Sequence, residues 1–198
     1  MEAMGSVLPY RPPRAREETT AWLGMVIFLG SWAMMFAALF FAYGYVRTRG
    51  GEWPPAGVPR LPTLLPALNT LVLLASSACL QYGIASVRSG GPRLFLALVA
   101  ALLLGAVFLA LQLWLWNALY SGGLHANSGG SYGSVFYGLT GFHALHVLVG
   151  LFGVGLLCRR AYKGEFSPAK YLPVRLWAMY WHFVGIVWAL MFVSVFLL

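Results

Sequence analysis

The chain has 198 residues, 60% of them hydrophobic and only 9% charged, with a formal net charge of +8. A soluble domain carries roughly 25% charged residues, so this chain cannot clothe a water-facing surface and reads as an all-α integral membrane protein. Its basic residues lie mostly between apolar segments, where they set orientation and meet anionic headgroups, and no basic, aromatic-interleaved patch points to nucleic acid.

Residues 1–20 form a polar tail. It holds Pro9, Pro12 and Pro13 among Arg11, Arg14, Arg16, Glu17 and Glu18, a composition expected to be extended. The apolar run that follows is too long for the core of a signal peptide, so it reads as a retained helix. Five spans are predicted, at about 22–45, 64–87, 94–120, 132–157 and 173–198, together one domain over 21–198. Each exceeds the ~30 Å of a hydrocarbon core at ~1.5 Å per residue.

The first span, rich in Met and Phe, stops at Arg47 and Arg49. The loop 50–63, GGEWPPAGVPRLPT, has too many prolines and glycines for a helix, and its Trp53 suits a membrane interface. In the second span Pro66 falls in the first turn, where a missing N–H is tolerated. Asn69, Thr70, Ser76 and Ser77 follow, and Ser76-Ser77 are expected to bond backbone carbonyls. Arg88 to Arg93 make a tight turn. In the third span Ala97, Ala101 and Gly105 repeat every four residues, a small-residue stripe that lets a neighbouring backbone approach. Gln112 is its main polar group, and Trp114 and Trp116 are expected at the far interface.

The fourth span opens on YGSVFYGLTGFHALHV, residues 132–147. His143 and His146 are three apart and share a helix face, with Thr140 one turn before them. At that depth ionisable side chains are expensive in hydrocarbon and are expected to face protein. The fifth span repeats this character with Tyr180-Trp181-His182 and Trp188, and Pro173 suits its first turn. Five spans put the termini on opposite sides. Ten basic residues flank the spans on the N-terminal side against three on the other, which predicts a cytoplasmic N-terminus.

Two readings of the histidines are open. His146 and His182 could ligate a haem or metal between two helices. Alternatively, His143, His146 and His182 hydrogen-bond to neighbouring helices, with Gln112, Thr140 or Asn69 as partners. The second is preferred, because a haem or binuclear copper site draws ligands from more helices. The acids are Glu2, Glu17, Glu18, Glu52 and Glu165, all in tails or loops. The absence of a carboxylate from every span argues against an intramembrane proton relay and against paired acid–base chemistry. GxSxG, P-loop and HExxH patterns are absent. Cys79 and Cys158 lack CxxC spacing and read as packed thiols. Arg88, Arg93, Arg159 and Arg160 are candidates for lipid headgroups.

The segments YGSVFYGLTGFHALHVLVG and YWHFVGIVW resemble subunit III of the haem–copper cytochrome c oxidases. FLGSWAMMFAALFFAY, EWPPAGV, LPALNTLVLLASS and FLALQLWLW resemble the same family in the same order. The resemblance implies a short, five-helix bacterial form without haem or copper of its own, those groups belonging to partner subunits. It further implies packing on the catalytic subunit I, phospholipid held in a cleft, and support of turnover and proton uptake. The chain departs from the family where acids are usual: it carries Trp32 and Leu115 in place of glutamates and Gly185 in place of an aspartate. Gln81-Tyr82-Gly83 stands where histidines are common. The family roles of those groups therefore do not carry over.

The sequence thus reads as a non-catalytic accessory subunit of a terminal oxidase in the bacterial inner membrane. Its expected partners are subunit I, the other oxidase subunits and phospholipid, with a respiratory supercomplex as a larger candidate assembly. The alternatives are an accessory subunit of a quinol oxidase or nitric oxide reductase, a bis-histidine haem- or quinone-binding electron carrier, and a small transporter. The absent carboxylates disfavour the transporter.

Overall fold

The structure, a computed structural model, describes residues 13–49, 53, 55, 61–126 and 130–197, with side chains from Arg16 onward. Five α-helices follow one another: α1 (Pro13–Arg49), α2 (Leu64–Arg88), α3 (Leu94–Ser121), α4 (Gly130–Tyr162) and α5 (Leu172–Met191). A π-helical segment, Phe192–Leu197, prolongs α5. All five are long and apolar enough to cross a membrane.

α1 begins inside the tail expected to be extended, so that expectation fails for residues 13–20. Proline is tolerated at the first helical position because its missing N–H has no intrahelical partner there. The Arg, Ala and Glu residues after it are good helix formers. Residues 1–12 lie outside the described residues.

α2, α3, α4 and α5 close into a ring in which each packs on the next and α5 returns to α2. α1 lies against α4 and α5. Lipid tails are as apolar as leucine, so burial from water does not drive these contacts, and close packing and interhelical hydrogen bonds must. The sequence supplies both. On the small-residue stripe of α3, the Ser76 hydroxyl donates to the Ala101 carbonyl at 2.8 Å. Gly83 lies so near Ala97 that a methyl there would come within 3.0 Å of its Cβ. The turn joining α2 to α3 uses Gly90 at φ +75°, a left-handed conformation that a side chain would strain.

The third member of the stripe does something different. Gly105 of α3 and Gly150 of α4 receive the two sides of the Trp181 indole from α5; a Cβ at either would lie 2.7 Å from the ring. The indole N–H donates to Ser76 Oγ of α2 at 3.1 Å. One side chain, fully buried, thereby fixes the mutual distances of four helices. A second indole N–H, from Trp188, donates to Thr70 Oγ1 of α2 at 2.9 Å.

At the other end of α1, the Tyr43 hydroxyl and Arg47 Nη1 both donate to the Ser194 carbonyl, each at 3.1 Å. Ser194 lies in the π-helical segment, where the wider backbone loosens the regular i→i+4 ladder. Trp53, expected at the membrane interface, is half-buried with its ring edge-on to Tyr43 at 5.9 Å and Tyr132 at 4.7 Å. It wedges the loop between α1 and α4. Pro55 and residues 61–63 are the other described parts of that loop.

Candidate functional site

Two places concentrate chemistry: a polar interior between α2, α3 and α4, and a cavity between α1, α2 and α5.

His143 and His146 are both about 1% exposed. The His146 ring donates from Nδ1 to the Phe142 carbonyl one turn back, at 2.6 Å. Its face is covered by Trp32, edge-on with 3.8 Å between ring centroids, and by Phe36 at 5.0 Å. Trp32 therefore places an apolar ring against the histidine at a position where the family resemblance implies a carboxylate. The His146 carbonyl accepts from the Tyr180 hydroxyl of α5 at 3.0 Å. His143 touches the rings of Phe36, Phe108 and Trp188.

Two of the three expected hydrogen-bond partners of the histidines bond elsewhere. Asn69 Nδ2 donates to the Phe108 carbonyl at 3.2 Å. Thr140 Oγ1 donates to the Phe136 carbonyl at 2.7 Å and accepts from the Trp116 indole at 3.2 Å. Trp116 thus turns inward to brace α3 against α4, whereas Trp114, 61% exposed, faces outward. The side-chain amide of Gln112 and both ring nitrogens of His143 are buried without a hydrogen-bond partner among the described residues.

His182 stands apart from this interior. It lines a cavity of about 420 Å³ with Gln81, Arg88, Tyr171 and Arg175, walled by Trp22, Ile84, Ala178 and Met179; His146 is not among the lining residues. Of the four arginines expected to meet headgroups, only Arg88 is in this lining. Arg159 is near the end of α4, Arg160 pairs with Glu165 at 2.8 Å, and Arg93 donates to the Tyr82 hydroxyl at 2.6 Å. Arg160 holds the Glu165 carboxyl below its ordinary value through that hydrogen bond.

Arg175 and Gln81 were missed from sequence, although a signal existed. Arg175, Ala178, Met179 and His182 share one face of α5, and Gln81, Ile84 and Arg88 one face of α2, each set spaced i, i+3 or i+4, i+7. What the sequence lacked was the contact that turns these faces together. Among the described residues the cavity carries two guanidinium groups and no carboxylate, so it favours an anion at its charged end. Its inner part offers an imidazole and an amide as hydrogen-bonding groups beside apolar walls.

For a metal, the requirement is a cluster of ligating side chains. No group of three or more His, Cys, Asp or Glu occurs among the described residues. Cys79 and Cys158 are free thiols.

Comparison with known proteins bears on what this scaffold serves. The family model for cytochrome c oxidase subunit III matches residues 17–198. A protein named cytochrome c oxidase subunit 3 from Synechocystis sp. is 37% identical over 179 residues, covering 88% of this chain and 74% of the relative. Its namesake from Thermostichus vulcanus is 34% identical over 180 residues, covering 89% and 86%. The one from Gallus gallus is 34% identical over 180 residues, covering 87% and 67%. With the match running through all five helices, the chain belongs to the cytochrome c oxidase subunit III family.

Proposed function

We propose that this chain is the non-catalytic helical scaffold of a bacterial cytochrome c oxidase, holding anionic phospholipid beside catalytic subunit I. It is an accessory subunit of cytochrome c oxidase, a multi-pass membrane protein that associates with other subunits of that complex. The finer reading puts it in the inner membrane with its N-terminus in the cytoplasm. Haem and copper belong to its partner subunits, and its own polar residues serve packing.

The observation that carries this reading is the ending of the polar interior on aromatic rings. His143 and His146 are walled by Phe36, Phe108, Trp188 and Trp32, and the only carboxylates on the five helices, Glu17 and Glu18, are exposed in the polar first turns of α1, before its apolar stretch. A relay needs a succession of titratable groups or waters, and rings interrupt it. The two arginines at one cavity support the lipid assignment, because guanidinium matches phosphate in a bidentate manner.

Substituting His146 by Ala tests the packing assignment. Subunit retention, turnover and proton stoichiometry are measured on one preparation. A loosened subunit with normal turnover and stoichiometry in the remaining intact complexes supports the scaffold reading. Full retention with a lowered proton stoichiometry refutes it. For the lipid, Arg88→Ala with Arg175→Ala should deplete anionic phospholipid from the purified complex; unchanged lipid content refutes that assignment.

A further inference from the structure

Five of the seven buried side-chain polar atoms without a partner among the described residues belong to three side chains: Asn69 Oδ1, both polar atoms of Gln112, and both ring nitrogens of His143. These come from α2, α3 and α4, and they converge around Phe108. Asn69 is bonded to the Phe108 carbonyl, so its free Oδ1 lies beside that turn of α3. The Phe108 ring meets His143 at 6.0 Å between centroids. Gln112 is one turn further along α3. A turn beyond it, Trp116 bonds Thr140, one turn before His143 on α4. The antiparallel course of α3 and α4 therefore sets Gln112 opposite the stretch between Thr140 and His143. All three side chains are 2% exposed or less.

These groups are chemically matched. A neutral imidazole offers one donor and one acceptor, the Gln112 amide two donors and an acceptor, and Asn69 Oδ1 an acceptor. Direct bonds among them would satisfy most of the set, yet none is made. Leaving one such group buried and unpaired costs about 1–3 kcal/mol. Buried water commonly occupies such positions, making roughly three hydrogen bonds to groups that the protein leaves unsatisfied.

We infer that a buried water site lies between Asn69, Gln112 and His143, where one ordered water accepts from Gln112 Nε2 and donates to Asn69 Oδ1 and to a His143 nitrogen. This single molecule joins α2, α3 and α4 beside the Phe108 ring. It gives the interior a polar lock that complements the aromatic one at Trp181. The inference rests on the reading of these histidines as structural groups.

The test uses the intact oxidase complex. A density map that resolves ordered water should place a peak within hydrogen-bond distance of Gln112, Asn69 and His143. Gln112→Leu and His143→Phe are then compared, singly and together, by the rate at which the subunit leaves the complex on warming. Each single change should speed release roughly tenfold, a factor that corresponds to ~1.4 kcal/mol. The double variant should release about as fast as the faster single, because both changes break one network.

Absence of the peak overturns the inference, as does a direct Gln112–His143 hydrogen bond. So does a slower release in Gln112→Leu, the behaviour of a dry, unpaired amide replaced by a better-packed side chain. If His143→Phe prevents assembly, the map and Gln112→Leu alone decide. Proton stoichiometry is recorded on the same samples. A loss of stoichiometry with full retention would sink the structural reading of the histidines even where the water peak is present, so the two failures are separable.

Discussion

Gly150→Ala adds one methyl group at one of the close approaches between helices. Its Cβ would sit 2.7 Å from the Trp181 ring and 3.2 Å from Tyr180, where ordinary carbon contacts lie near ~3.5–4.0 Å. The ring has nowhere to retreat. Gly105 closes on it at the same 2.7 Å from the other side, and Ser76 holds its indole nitrogen. Overpacking of this kind costs ~1–3 kcal/mol. Against it stands the helix-propensity gain of alanine over glycine, ~0.8–1 kcal/mol, so the net loss should approach ~1 kcal/mol or more.

Gly138, on the same helix, has no atom within 4 Å of an added Cβ, and there only the propensity gain remains. Denaturing-detergent titration of the isolated chain in micelles should therefore move the two variants in opposite directions, Gly150→Ala towards instability and Gly138→Ala towards stability. Equal stabilisation by both would refute the close packing of Trp181 and with it the four-helix anchor.

Other perturbations report on separate parts of the molecule. Ser76→Ala removes the acceptor of the Trp181 indole and a donor to α3; it should cost ~0.5–2 kcal/mol, the lower end applying where the membrane-unfolded state finds partners, read by the same titration. Tyr43→Phe deletes one donor to the Ser194 carbonyl, and backbone hydrogen exchange over 192–197 should speed up while exchange in mid-α3 stays unchanged. The exposed Arg160–Glu165 pair gives a signed pH dependence. Glu165 is held below its ordinary 4.5, so its small stabilisation of the loop after α4 is complete above that value and fades as pH falls through the depressed one. Loop exchange should rise on acidification, and Glu165→Gln should abolish the dependence, as should high salt.

The five spans were legible because each is an apolar run longer than a bilayer core, a signal that needs no partner to be read. The start of α1 was not. Hydropathy marks where a helix enters lipid, whereas Pro13 to Thr20 is helical in a polar stretch through propensity and a tolerated first-turn proline. The α3 stripe was legible as a close-approach surface because its i, i+4 spacing is local, although its members meet different neighbours: Ala97 and Ala101 face α2, and Gly105 takes Trp181. The histidines show the limit most clearly. His143 and His146 share a helix, so their common burial follows from spacing alone. His182 belongs to another helix whose rotation is set by Trp181 lodging between two glycines, and that rotation carries it to the arginine-lined cavity. The inward turn of Trp116 has the same origin, since Thr140, its partner, lies on a different helix.

This chain, as proposed, is a cofactor-free scaffold inside an oxidase. Purifying the native membrane complex through a tag on this chain, then dissociating it and recording visible spectra of the separated subunits, tests that claim most directly. The intact complex should carry haem and copper, the haem absorbance should stay with the partner subunits, and this chain alone should be colourless. A haem band that follows this chain and is lost in His146→Ala would contradict it.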